Sequence, residues 1–258
     1  MNKYTNQDIL QIAMKQSAFD LNCSQTDFLE SANIIVQSEI GASAKKYYKE
    51  PIACNFVSYG NNLVVSVKDA YRSIVEEYIQ KYEFYHCFET PYMHWLDERM
   101  SKMGQRICFM AEYFLPDMGR MGRLPCNYEM RILNQTDFRN LYVPEWSNAL
   151  CNARKELDVL GIGAYDGNQL IGLAGCSADC DSMWQIGIDV LPEYRRQGIA
   201  SALTSNLAME ILERGKVPFY CCTWSNIRSS RNAMKSGLAP AWVEMTIKPQ
   251  KIVEEMNG

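Results

Sequence analysis

The stretch from Trp184 to Leu203 constrains this chain more than any other. Ile186, Ile188 and Val190 alternate with Gln185, Gly187 and Asp189, the period of a β-strand. Leu191-Pro192-Glu193 then interrupts the ladder, because a proline has no N–H to donate. Beyond Gly198 the period becomes helical, with Ile199, Leu203, Leu207 and Ile211 recurring every four residues. Between strand and helix lies Arg195-Arg196-Gln197-Gly198-Ile199-Ala200, a basic loop with small residues where a ligand could approach the backbone. The first turn of a helix has amides without an intrahelical acceptor and a positive dipole end. An anion the size of a diphosphate suits that position.

A second informative stretch follows a short apolar strand at Pro218–Trp224. In Trp224–Leu238, Asn226 or Ser229 can cap a helix and Gly237 can end it, with Pro240–Thr246 as a closing strand. Arg195-x-x-Gly198-x-Ala200, set after a strand and a Pro-Glu-Tyr turn, resembles the acetyl-CoA motif of the GNAT N-acetyltransferases. Asn226-x-x-Ser229, with Gly237-Leu238 downstream, resembles that family's second motif. The resemblance covers residues 128–247.

The resemblance implies that the amides of Arg195, Arg196, Gln197, Gly198, Ile199 and Ala200, with Ser201 opening the helix, hold the CoA pyrophosphate. It also implies that the backbone of Ile188, Asp189 and Val190 pairs with the pantetheine arm, and that Asn226, which contacts that arm, and Ser229 belong to the CoA-binding set. The implied fold is α/β: a GNAT fold with a mixed central sheet in the C-terminal half, preceded by a smaller α/β N-terminal domain. The implied activity is transfer of an acetyl group from acetyl-CoA, as cosubstrate, to a primary amine by direct attack on the thioester. A backbone N–H near Val190 would polarise the carbonyl, and the acceptor would be a small molecule or a peptide. The alternative from another class is a CoA-binding regulatory or sensor module without turnover, and the N-terminal domain could serve only to recruit a protein partner.

The catalytic groups are less marked. Many GNAT enzymes carry a tyrosine four residues before the second-motif glycine to protonate the departing thiolate, and here that position is Ala233. Ser229, Ser230 and Tyr220 are the remaining candidate donors. Asp189 is the candidate base, with Asp179 and Asp181 just upstream, since an attacking amine must be neutral. The alternative for Asp189 is a carboxylate satisfied by backbone or arginine.

Composition narrows the classes. The 26 basic and 30 acidic residues leave a net charge of −4, which argues against a nucleic-acid binder working through a broad basic face. Residues 1–20 lack the basic and apolar regions of a signal peptide, and no apolar run is long enough to span a membrane, so a cytoplasmic protein is expected. The 10 cysteines are then expected to be reduced. Cys176, Cys180, Cys221 and Cys222 lack the usual zinc spacing, so no metal site is expected. His86 and His94 sit among Tyr85, Phe88, Tyr92 and Trp95, a setting for packed or surface residues rather than a site.

The N-terminal half reads as mixed α/β. A helix is expected over residues 5–18, capped by Thr5 or Asn6, then a Ser24-x-x-Asp27 capping box. Strands at Pro51–Val57 and Leu63–Val67 flank a Tyr59-Gly60-Asn61-Asn62 turn. Helices from Asp69 and over Pro91–Met103 precede a strand at Arg106–Leu115. Leu115–Gly122 loosely echoes Leu191–Gly198, but Pro125 forbids a long helix after it, so the stretch reads as a linker. The domains are accordingly expected at 1–125 and 127–258. The second would open with a strand at Tyr128–Leu133 and a broken helical stretch over Asp137–Leu150. A hairpin of Leu160–Tyr165 and Gln169–Ser177 about Asp166-Gly167-Asn168 would follow.

Overall fold

A computed structural model describes residues 4–258. Its contacts divide the chain into two compact units: Met1–Ile12 with Tyr113–Pro240, and Ala13–Glu112 with Ala241–Gly258. This is not the linear division at residue 126. The chain end returns to the unit built from residues 13–112, and the stretch read as a linker lies inside the other unit.

Helix α1 (Asn6–Leu21) opens with a reciprocal cap: Thr5 N–H donates to Asp8 Oδ2 at 2.8 Å and Asp8 N–H to Thr5 Oγ1 at 3.1 Å. In the unit built from residues 13–112 and 241–258, β1 (Ile34–Gln37), β2 (Cys54–Ser58) and β3 (Val64–Val67) run in the order β1-β3-β2. β1 is parallel to β3, and β2 and β3 are the expected antiparallel hairpin. Residues 243–247 pair antiparallel with β2 on its other side. Helices α2 (Arg72–Lys81) and α3 (Thr90–Ser101) cover this sheet through Tyr78, Leu96 and Met100, which bury with Phe56, Val65 and Met245. Each such side chain contributes roughly 1.5–3 kcal/mol.

The strand β4 (Gln105–Pro116) enters the other unit at Tyr113. There β5 (Glu129–Asn134), β6 (Asp158–Asp166), β7 (Gln169–Ser177), β8 (Met183–Val190) and β9 (Val217–Cys222) lie side by side in the order β9-β8-β7-β6-β5. Pairing is antiparallel from β5 to β8 and parallel between β8 and β9, the mixed sheet expected. Helix α4 (Ile199–Glu213) packs on one face, Ile199, Leu203, Leu207 and Ile211 meeting Ile171, Ala174, Ile186 and Tyr220. The other face is covered by the 3-10 turns of residues 135–150, through Phe138, Trp146, Ala149 and Leu150. Helix α5 (Ile227–Lys235) follows β9, then β10 (Leu238–Pro249) and helix α6 (Gln250–Asn257), the last of which the sequence did not suggest.

The stretch after β4 is fastened rather than free. Asp117 N–H donates to Gly237 O at 3.0 Å. Arg123 Nη2 bonds Glu210 at 2.7 Å and Glu213 at 2.8 Å, and Leu124 N–H donates to Ser205 Oγ at 3.1 Å, so the strap lies along α4. No helix among the described residues is long and apolar enough to cross a membrane.

Candidate functional site

The site begins where two parallel strands part. β8 and β9 pair only through Met183, Trp184 and Gln185 with Val217, Pro218 and Phe219, although the strands run on to Val190 and Cys222. On its other side β8 stays paired with β7 as far as Val190. Leu191 N–H donates to Ile171 O, toward β7. Strand alternation therefore turns the N–H and C=O of Ile188 and Val190, beyond the last pair with β9, away from β7 and onto the edge that β9 has left. The Val190 carbonyl accepts from Arg195 Nε at 3.0 Å. Asp189, one residue out of phase, directs its backbone toward β7.

A single turn (Pro192–Tyr194) then leads into the basic loop. Arg196 and Gly198 both have left-handed backbones, φ 65° and φ 83°. Gly198 is the N-cap of α4, and a Cβ built on it would meet no atom within 4 Å, so the space in front is open. The first intrahelical amide to bond is that of Ala202, to Gly198 O at 3.0 Å. The N–H groups of Ile199, Ala200 and Ser201 precede it and have no acceptor in the helix. Left-handed residues ahead of a helix start gather such amides into an anion-binding concavity. The loop is braced from outside the motif: Tyr128 Oη donates to Gln197 Oε1 at 2.9 Å and Tyr194 Oη to Asp166 Oδ2 at 3.0 Å. Ser201 Oγ turns back to Gly198 O at 3.0 Å.

On the far side of the parting strands Asn226 caps α5, its side chain accepting from Ser229 N–H at 3.2 Å. Ser229 Oγ is 2.7 Å from Tyr220 Oη, which comes from β9. Burial pushes the Tyr220 phenol up, against hydrogen bonds from Ser229 and Asn232 that lower it. Asn232 Nδ2 donates to Thr204 Oγ1 at 3.0 Å and ties α5 to α4. Ala233 is fully buried in the same core cluster as Tyr220.

Asp189 is engaged on its other face. Its Oδ2 accepts from the N–H of Asn148 at 2.8 Å and of Ala149 at 2.9 Å, and its Oδ1 from Asn148 Nδ2 at 2.6 Å. Gly187 makes this approach possible, since a Cβ there would stand 1.9 Å from Asn148 O. Asp179 lies at the paired end of β8 and is fully buried, accepting from Ser177 Oγ at 2.7 Å. Beside it, burial pushes the Asp158 carboxyl up to about 6. Sequence reasoning missed Tyr128, Asn148 and the Tyr220–Ser229 contact. His86 bonds Glu89 at 3.0 Å, in the other unit. All ten cysteines are thiols, none bridged to another. Among the described residues no group of three or more His, Cys, Asp or Glu side chains could hold a metal.

The sheet, the parted strands and the helix-start loop make up a mixed α/β fold with an open strand edge beside a helix N-terminus. The sequence profile of the GNAT acetyltransferases matches residues 61–240, and the chain belongs to that family. No curated protein matches it. Among solved structures, a protein described as a GNAT-family acetyltransferase from Novosphingobium aromaticivorans is 18% identical with a TM-score of 0.45, the match covering 56% of this chain and 66% of that one. A GCN5-related N-acetyltransferase-like protein from Streptococcus suis is 20% identical, TM-score 0.45, over 61% and 68% of the two chains. An aminoglycoside N-acetyltransferase in complex with CoA is 22% identical, TM-score 0.35, over 46% and 93%. The chain thus spans just under two thirds of the length of the first of these.

Proposed function

We propose that this protein transfers an acetyl group from acetyl-CoA to a primary amine on a small molecule or a peptide. The observation that carries the reading is the sequence of two features within residues 188–201. The open edge of β8 offers the N–H of Ile188 and Val190 to an extended amide-bearing arm. The N-terminus of α4, with Gly198 and the amides of Ile199, Ala200 and Ser201, suits a diphosphate. Arg195, Arg196 and Gln197 rim that concavity. A CoA molecule has both parts, an amide-rich pantetheine and a diphosphate, joined in that order. Bound there, acetyl-CoA supplies the activated acyl group. The chain's own residues hold it, and an amide near Val190 polarises the carbonyl.

Asp189 is assigned a holding role here: its carboxylate fixes the turn at Asn148–Ala149 against the sheet. The amine would then lose its proton to water. A second reading, a CoA-binding module without turnover, is favoured by Ala233, a buried position without a proton to give.

Calorimetry with CoA tests the first reading. Asparagine and aspartate tolerate left-handed φ better than other non-glycine residues. Gly198→Asn should therefore bind CoA, and Gly198→Asp, which sets a carboxylate where the diphosphate belongs, should not. Equal affinity in all three proteins removes the basis of the proposal. Acetyl-CoA consumption against a panel of amines, followed by mass spectrometry, separates enzyme from module. Tight CoA binding without an acetylated product, in both the parent and Ala233→Tyr, favours the module.

A further inference from the structure

We infer that the hydroxyl pair Tyr220–Ser229 returns a proton to the sulfur that leaves during acetyl transfer, with Ser229 as the donor and Tyr220 the positioning residue behind it. The inference rests on the reading that acetyl-CoA lies along the open edge of β8. Tyr220 is the first residue of β9 beyond the last pair with β8, so its backbone stands at the mouth of the parting. Its ring belongs to the cluster that includes Ile186, with Ile188 and Val190 packed against it, and so stands on the α4 side of the sheet. The phenol reaches the first turn of α5, where Ser229 Oγ meets it at 2.7 Å. Ser229 is itself fixed: its N–H is held by the Asn226 cap, and Asn232, one turn nearer Thr204, anchors the helix to α4. Ala233, one turn further along the same helix face, has no proton to offer. Two hydroxyls from two elements thus converge beside the edge where a thioester arm would run.

The step balances without an added reagent. The amine nitrogen bonds to the acetyl carbon, and the carbon–sulfur bond breaks with its electron pair on sulfur. The Ser229 hydroxyl gives its proton to that thiolate and takes one from the Tyr220 phenol. The phenolate regains the proton that the new amide nitrogen releases, through water. A tyrosine phenol is protonated at neutral pH and burial pushes it further that way, so the relay starts loaded.

The first test is a crystal structure of the protein with CoA. The inference expects the CoA sulfur within roughly 3.5 Å of Ser229 Oγ, hydrogen-bond reach for a large acceptor. A pantetheine that follows β8 with its sulfur beyond about 6 Å from both hydroxyls, too far for one bridging water, overturns the relay and leaves the proposed function standing. CoA bound away from β8 overturns both. The second test is kinetic, with acetyl-CoA and an amine from the panel. Ser229→Ala should lower kcat about 100-fold, the lower end of what general-acid help supplies, with KM for acetyl-CoA unchanged. Ser229→Thr, which keeps the hydroxyl, should recover most of it. Tyr220→Phe keeps the buried ring and should lower kcat about 10-fold while removing the loss of activity at high pH that ionisation of the phenol causes. A merely structural tyrosine would leave that alkaline limb in place. An unchanged kcat in both Ser229→Ala and Tyr220→Phe contradicts the inference.

Discussion

Two loops of one unit share a sequence flavour and have opposite fates. Leu115–Gly122 and Leu191–Gly198 each leave a strand through Leu-Pro, an acidic residue and an arginine, and reach a glycine. In the second loop Arg196 and Gly198 are left-handed, and a helix of 15 residues begins at once with its first amides unclaimed. In the first loop Asp117 claims the amides for itself. Its Oδ1 accepts from Gly119 N–H at 3.1 Å, and its carbonyl accepts from Arg120 and Met121 at 2.8 Å. The chain then lies down along α4 instead of starting a helix, as Pro125 requires. On the proposed reading, a glycine-bearing basic loop serves an anion where a helix follows and no local carboxylate has filled the concavity.

The largest expected effect breaks the comparison directly. Gly198→Asp should weaken CoA binding by at least about 100-fold, some 2.7 kcal/mol. Gly122→Asp, where a Cβ would also meet no atom within 4 Å, should leave CoA affinity unchanged. A similar loss in both variants would mean that the two loops are not functionally distinct. Next in size is the anchor at the end of β8. Asp189→Ala leaves Asn148 and Ala149 without their charged acceptor and should cost roughly 2–3 kcal/mol of stability, read from denaturant midpoints. An unaltered midpoint would show that the 144–150 turn is held by packing alone.

The smallest effect concerns the strap. Burial acts to raise the Glu210 carboxyl, but hydrogen bonds from Arg214 and Arg123 outweigh it and hold the group below its ordinary value of 4.5. A depressed carboxyl stabilises the fold above that ordinary value and loses the contribution as pH falls through the folded one. Arg123→Ala should accordingly destabilise by less than about 1 kcal/mol at pH 7, since the arginine is over a third exposed, and by less still near pH 3. A difference from the parent that grows on acidification would contradict this account. Because the strap is fastened, limited proteolysis should find no preferred cleavage at residues 116–126. Rapid cutting there would restore the linker expected from sequence.

What was legible in the sequence was local. The alternation of Ile186, Ile188 and Val190, the four-residue spacing after Gly198, the Asn226 cap and the Asp166-Gly167-Asn168 hairpin each depend on neighbours a few residues apart, and each forms as expected. What escaped was decided by residues far along the chain. Asp189 finds Asn148 across 41 positions, and Gln197 finds Tyr128 across 69. The partners carry no pattern that announces them. β1 is only four residues long and too short to show a period. The two contact units depend on the same kind of distant pairing: residues 243–247 return to pair with β2, and a strand's partner is set by the assembled sheet rather than by its own sequence.

The most direct test of the central claim is hydrogen exchange of backbone amides with and without CoA, resolved to single residues. The account predicts that CoA protects Ile188 and Val190 on β8 and Ile199, Ala200 and Ser201 at the start of α4, and leaves Gly119–Gly122 unaltered. CoA binding that protects neither set, or that protects the 119–122 loop equally, would contradict it.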